Sequence, residues 1–443
     1  MDIIVTSLVV SAALSTARFA VTTEVTSQRR VEFSEISKLV EDRNVNVQLS
    51  RAEADVARGK LAEARTKLRF TISGTNKFSE NTQTTKNQGT NRSTTTDFVA
   101  SENTIMLSQD LDLFGKSRAA VARERANVMG SEATIRENLN SQIAEAQISY
   151  LSLAGAEALL VGAEADLKSA RLRLENTIRR FEAGLLPELN VLQARSDVSS
   201  YTATVSTRIA DVQKARIRLS VTLGLPVSEA DSLEIAPMPG AENLPGLPES
   251  LEAVRDWQHP GVLVGQFGVE AADHGLSLAK KSQLPTINLS ASYGVNNSKS
   301  QFALERQGYL SLSISMPIND AGQRKAQVAT ETANLASAKW RLESTNRSLE
   351  SELRQAIADY TANLSALSSS RDAYAAAAES VRVAEVRYQQ GIATSGILEV
   401  QSAQASLIRA RNQMLTAYYG SLQSMVLVQK AIGKPGLAML PQG

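Results

Sequence analysis

Leu107-Ser-Gln-Asp-Leu-Asp-Leu-Phe-Gly-Lys-Ser-Arg-Ala119 returns later in the chain as Ile314-Ser-Met-Pro-Ile-Asn-Asp-Ala-Gly-Gln-Arg-Lys-Ala326. Gly115 and Gly322 correspond, an offset of 322 − 115 = 207. Arg180-Phe-Glu-Ala-Gly184 matches Arg387-Tyr-Gln-Gln-Gly391 at the same spacing, since 391 − 184 is again 207. Further on, Leu223-Gly-Leu-Pro226 matches Ile432-Gly-Lys-Pro435 with 433 − 224 = 209, which places a two-residue insertion just after Gly391. Three matches in register over so long a span mean two tandem copies of one structural unit.

Working outward from these anchors, each copy reads in the same order. A helix comes first, from Phe33 to about Arg65 in one copy and from Leu251 to about Lys281 in the other, interrupted near His259-Pro260-Gly261. Alternating residues then predict a strand pair, at about 68–79 and 97–111 in the first copy and 285–295 and 307–317 in the second. Ile287, Leu289, Ala291 and Tyr293 alternate with Asn288, Ser290 and Ser292, and Leu310, Leu312, Ile314 and Met316 alternate with three serines. One apolar face and one face of small hydroxyls suits a barrel with lipid outside and water inside. A strand pair facing a protein core would read similarly.

Beyond each hairpin the chain runs without a helix breaker. No proline precedes Pro187, and none lies between Pro317 and Pro435. Long helices are predicted over 115–184, 188–224, 322–391 and 397–433, and 69 residues at 1.5 Å rise would reach about 100 Å. Helices several times the usual length must bury their apolar stripes along a rod or tube. Two hairpins supply four strands, and closing a barrel takes about eight. Four open strands in lipid would leave backbone groups unpaired, so at least two copies must share a barrel, and three would leave a conducting lumen.

Composition narrows the function classes. With 47 basic and 46 acidic residues the net charge is +1, which gives no electrostatic reason to expect nucleic acid as a partner. There is no cysteine, so disulfides, thiolate metal sites and thiol catalysis are excluded. His259 and His274 are the only histidines, and no phosphate loop or nucleophile elbow occurs. No catalytic group, cofactor or metal is therefore expected. Glu137, Glu145 and Glu157 read as solvated helix charges, and His259 as a helix-entry residue. Asp110 and Asp112 flank the strand-to-helix junction, suited to capping or to a cation. The apolar run from Ile3 to Leu14 is too short to span a bilayer and resembles a signal peptide, with cleavage after Ala17. A buried N-terminal helix is the alternative, since Asp2 stands where a basic residue is usual. No other stretch reads as a membrane helix. The chain is thus divided into a signal peptide (1–17), a first repeat (18–225), an equatorial linker (226–250) and a second repeat (251–443).

Leu284-Pro-Thr-Ile, the strand-exit segment ending Gly322-Gln-Arg-Lys-Ala326, and the two Arg-aromatic-x-x-Gly tips resemble the TolC-like outer membrane efflux family, over roughly Phe33 to Gly433. That resemblance implies a mainly α protein with a small β part. Three copies would form a twelve-stranded barrel in the outer membrane of a Gram-negative bacterium and a helical tunnel through the periplasm. It implies an exit duct for drug efflux or type I protein secretion, joined to a periplasmic adaptor and an inner-membrane pump of RND or ABC type. The tips would carry adaptor docking on Arg180, Gly184, Leu185, Leu186, Arg387, Gly391 and Ile392. Gate candidates are Asn190, Tyr388 and Glu399. The family often has Asp six residues after each tip glycine, where this chain has Asn190 and, counting the insertion, Glu399. A basic residue two after the second glycine is replaced by Ala393. Rival classes are a periplasmic adaptor, with a single helical hairpin, and a structural coiled coil without strands.

Overall fold

The computed structural model describes residues 29–87, 92–236, 259–298, 303–316, 318–390 and 397–437. The predicted signal peptide, most of the linker and the tip residues Gly391 and Ile392 lie outside the described residues. The first repeat runs β1 (Arg29–Val31), α1 (Ile36–Arg43), α2 (Val45–Thr66), β2 (Thr71–Asn87), β3 (Arg92–Leu111), α3 (Lys116–Glu182) and α4 (Glu188–Thr222). After β4 (Leu233–Ile235), the second repeat gives α5 (Pro260–Lys281), β5 (Thr286–Ser298), β6 (Ala303–Ser315), α6 (Gln323–Gln389) and α7 (Ile397–Ala431). The long helices match between copies: α3 and α6 have 67 residues each, α4 and α7 have 35 each.

The two hairpins join into one antiparallel sheet in the order β2-β3-β5-β6. Its register puts Ile72 beside Leu107, Leu107 beside Ala291 and Ala291 beside Leu310, one apolar row across all four strands. The adjoining row, Thr71, Ser108, Ser290 and Ser311, is entirely hydroxylic and points to the opposite face. The apolar face is bare in one chain, with Ile72, Ile105, Leu310, Leu312 and Ile314 all more than 60% exposed. Both outer edges, on β2 and β6, lack a partner strand among the described residues, so the sheet is open at both sides.

Below the sheet, α3 and α6 are the long staves, about 100 Å each at helical rise. The shorter helices α2 and α5 flank α3 beside the sheet, while α4 and α7 pack against α3 and α6 toward the far end. Small polar residues sit inside these helices at low cost because their hydroxyls bond the carbonyl four residues back: Ser152 to Ile148 at 2.8 Å and Thr177 to Arg173 at 2.8 Å. The main core gathers where the middle of α3 meets the C-terminal ends of α4 and α7 and the segments around β1 and β4. Tyr150, Leu151, Leu153, Leu219, Leu233, Leu422 and Val426 are essentially buried there. Each such side chain contributes about 1.5–3 kcal/mol. Phe33 meets Tyr150 edge-on at 5.5 Å, and the Tyr150 hydroxyl donates to the Ala236 carbonyl at 3.3 Å. Burial pushes the Tyr150 phenol up to about 12, so it stays a donor.

Three sequence expectations need correction. The first helix is not continuous from Phe33: it breaks at Asn44, whose extended backbone (φ −64°, ψ 126°) separates α1 from α2. One helix beyond the N-terminal run, α3, does contain a stretch apolar and long enough to cross a membrane by composition, but it packs in the core against α4 and α7. Of the three glutamates read as solvated, only Glu145 is exposed. Glu157 pairs with Arg216 at 3.1 Å between α3 and α4, and Glu137 faces a small polar cavity with His259, Glu352 and Lys430.

Candidate functional site

Three places carry the features that distinguish this fold: the strand-to-helix exits, the far tips, and the seams between helices. At the first exit Asp112 turns back onto the start of α3. Its carboxylate accepts from the backbone N–H of Ser117 (2.9 Å) and Arg118 (3.0 Å) and from Arg118 Nε (3.1 Å). Burial pushes its pKa up, but these hydrogen bonds outweigh it and hold the group below the usual aspartate range. Asp112 is thus a helix cap, and Asp110 instead accepts from Asn288 at 2.9 Å across the sheet. Asp320 does the same work at the second exit, accepting from Gly322 N and Arg324 N. The copies are tied laterally here by Lys281 Nζ to the Gly115 carbonyl (3.2 Å), and within the second copy Arg324 Nη1 reaches the Gln283 carbonyl (3.1 Å).

At the first tip α3 ends in a left-handed glycine, Gly184 (φ 72°). Gly184 N bonds the Phe181 carbonyl and Leu185 N bonds the Arg180 carbonyl, the closure a C-terminal glycine permits. Leu185 is 72% exposed and Leu189 60%, while Leu186 and Asn190 are partly covered. The second tip differs. Arg387 at the end of α6 reaches Glu399 in the first turn of α7, Nη1 to Oε1 at 3.5 Å. The acidic gate candidate is therefore engaged by its own hairpin. Asn190, its counterpart in the first copy, carries no charge to form such a pair. Tyr388 belongs to α6.

Four contacts between helices escaped the sequence reading, and two of them join the copies. Arg411 of α7 grips Asp166 of α3, and Gln401 of α7 donates to Asp197 of α4 at 3.2 Å. The other two are head-to-tail joints between helices. Asn44 caps α2 by accepting from Asn46 N (2.9 Å) and Val47 N (3.3 Å), and donates Nδ2 to the Thr222 carbonyl in the last turn of α4 (2.8 Å). His259 caps α5 through Nδ1, which accepts from Gly261 N at 3.0 Å, and its ring also bonds the Lys430 backbone in the last turn of α7. Both joints rest on neighbouring residues of α3: Gln142 accepts from Asn44, and Asn140 donates to the Gly433 carbonyl at 2.8 Å. An asparagine before an apolar period is a known helix-start signal, but the joint itself has no signature, because its two halves lie far apart in sequence.

Two long helical staves per chain, a four-stranded open sheet with one apolar face, and two copies in tandem are now in view. The family model described as outer membrane efflux protein matches residues 36–225 and 257–434. The chain belongs to the outer membrane efflux protein family. Among curated relatives it is similar to the outer membrane protein TolC of Escherichia coli, 23% identical over 347 residues, covering 75% of this chain and 69% of that one. It is also similar to the outer membrane efflux protein BepC of Brucella suis, 24% identical over 331 residues, covering 72% and 71%. Among solved structures, the CmeC outer membrane channel of Campylobacter jejuni superposes with a TM-score of 0.81 at 16% identity, over 91% of this chain and 86% of the other. This efflux-family chain is an outer-membrane exit channel of an export system, with its strands in the outer membrane and its helices in the periplasm of a Gram-negative cell.

Proposed function

We propose that three copies of this chain assemble into one duct whose periplasmic tips dock an adaptor, through which an inner-membrane pump delivers cargo. The observation that carries this is the open sheet. Its two bare edges belong to different repeats, β2 to the first and β6 to the second, so copies can pair edge to edge in a closed ring. Three sheets of four strands make twelve, enough for a water-filled lumen where about eight strands give a side-chain-filled one. Closure also removes the unpaired backbone groups that lipid would penalise. The hydroxylic row then lines the lumen and the apolar row meets lipid.

The exposed leucines of the first tip, Leu185 and Leu189, together with Leu186, Arg180 and Gly184, form the adaptor-facing surface. Arg387, Gly391 and Ile392 supply its second-repeat counterpart. Apolar groups at the end of a rod immersed in water favour a partner that covers them. Asn190, Tyr388 and Glu399 narrow the tunnel mouth in the resting state. Conduction needs no catalytic step or cofactor in this chain: the energy comes from the pump, proton-driven in an RND system or ATP-driven in an ABC system. A periplasmic adaptor or a purely structural coiled coil would have no use for an apolar row continuous over four strands.

The test is photo-crosslinking in cells from Leu186 and Ile392, with captured partners identified by mass spectrometry. An adaptor captured from both positions supports the tip assignment, and the pump it belongs to separates drug efflux from protein secretion. Capture of no adaptor, in cells where the protein is present as an SDS-resistant trimer, overturns the docking surface and leaves the trimer standing.

A further inference from the structure

The two head-to-tail joints are built alike but from different chemistry. In the first copy an asparagine accepts from the helix it starts and donates to the helix before it, and both acts are independent of pH. In the second copy a histidine holds both positions. His259 is 7% exposed, wedged against Gly433, where an added Cβ would lie 2.7 Å from the ring. Its Nδ1 is the acceptor for Gly261 N–H, so the proton it gives to the Lys430 carbonyl sits on Nε2. Only the neutral ring can do both, since an imidazolium has two donors and no acceptor.

We infer that the α7–α5 joint is an acid-sensitive hinge in the wall of the channel, whereas the α4–α2 joint at the same height is not. When Nδ1 gains a proton it loses the Gly261 N–H and must find an acceptor. Glu137 is the carboxylate nearby: the point a Gly261 Cβ would occupy is 3.2 Å from His259 Nδ1 and 2.9 Å from Glu137 Oε1, so the two atoms are within about 6 Å of each other. Protonation therefore breaks a bond that holds the start of α5 and leaves a positive charge facing Glu137 of α3. Among the described residues, the charged groups facing the ring are Glu137 from α3, Glu352 from α6 and Lys430 from α7, and the first turn of α5 holds no acidic residue. Glu352 and Lys430 already pair at 3.2 Å, which leaves Glu137 as the carboxylate that answers the new charge. Burial pulls the ring's pKa below its ordinary value, against the smaller opposing pull of Glu137 and the Lys430 bond. The sign follows: the closed joint binds fewer protons than the open one. The joint is fully made above about pH 6.5 and weakens as pH falls, until the depressed pKa is passed.

Hydrogen exchange of the full-length protein in detergent, read by mass spectrometry and corrected for intrinsic rates, tests this. Amides Gly261 to Leu263 should keep constant protection above about pH 6.5 and lose up to about tenfold per unit below it. Asn46 and Val47 at the other joint, measured in the same sample, should not change. In His259→Asn, which restores the chemistry of Asn44, the pH dependence at Gly261 to Leu263 should vanish. Should that variant fail to assemble, the two joints of the wild-type protein decide alone. Protection that is flat at both joints, that falls equally at both, or that still falls in His259→Asn overturns the inference.

Discussion

Arg411 of α7 holds Asp166 of α3 through two nitrogens, Nη1 to Oδ1 at 3.2 Å and Nη2 to Oδ2 at 2.5 Å, with side chains only 22% and 14% exposed. The first repeat is thereby fastened to the second below the core. Gly162 makes room for it, because a Cβ there would lie 2.9 Å from Arg411 Nη2. A partly buried pair loses more when one partner goes than when both do. Arg411→Ala is expected to destabilise the protein by about 3–5 kcal/mol, and the double variant Arg411→Met with Asp166→Leu by clearly less. A double-mutant cycle on thermal unfolding with Arg411→Met and Asp166→Leu as the single variants checks this, and a double loss equal to the sum of the single losses would show that the pair contributes nothing.

The first joint predicts a contrast between neighbours. Asn44→Ala removes a helix cap and a buried donor, at a cost of about 1–2 kcal/mol. Gly224→Ala is worse. Gly224 stands at φ 70°, and its added Cβ would lie 2.3 Å from the Arg43 carbonyl oxygen, which is backbone and cannot rotate away. The alanine variant at 224 should therefore fail to give folded channel in outer-membrane fractions, while the one at 44 is recovered with a lowered Tm.

Gln147 is fully buried and clasps the backbone of Leu437 twice, its Nε2 donating to the carbonyl and its Oε1 accepting from the N–H, at 2.8 and 2.9 Å. Gln147→Glu keeps the acceptor but turns the donor into a second acceptor facing a carbonyl. An unsatisfied buried group of this kind costs about 1–3 kcal/mol. Limited proteolysis should release the segment from Gly433 onward in this variant and leave it intact in the wild type.

Asp112 sets an acid limit at the strand exit. Its pKa is depressed, so the cap contributes its full stability above the unfolded aspartate value of about 3.9 and loses it as pH falls through the lower folded value. Asp112→Asn takes up no proton at that position, so this part of the pH dependence is absent from it. Between about pH 5 and pH 2 the wild-type Tm should fall further than that of the variant. A parallel decline in both would remove Asp112 from the account.

At the second tip the Arg387–Glu399 pair is exposed and long, so its contribution to stability is about 0–1 kcal/mol at most. Glu399→Gln should leave the Tm nearly unchanged. If the pair helps narrow the mouth, single-channel conductance in planar bilayers should rise in Glu399→Gln and in the wild type at high salt. Conductance that stays at the wild-type value would assign the pair to capping.

Much of the fold was legible because duplication wrote it twice. Gly115 and Gly322, or Gly224 and Gly433, occur in matched settings, and all four sit at positive φ, where a side chain is strained. Strand faces were readable from the serine alternation in β6, since a period of two leaves no choice of side. The break at Asn44 was missed because apolar residues continue on both sides of it, and periodicity alone does not register a one-residue kink. The cross-copy contacts of Asp166 with Arg411 and of Asp197 with Gln401 were invisible for a different reason. A charge facing a neighbouring helix and one facing water look identical until helix rotation is known.

The head-to-tail joints give the wall an uneven stiffness. The staves α3 and α6 are unbroken and resist flexure along their whole length, whereas the rods formed by α4 with α2 and by α7 with α5 are articulated at one common height, beside Asn140 and Gln142. The joints lie about 40 Å below the sheet at helical rise. At that height only α3 and α6 carry the wall as continuous helices, so they alone pass a load from the tips to the strands without a break.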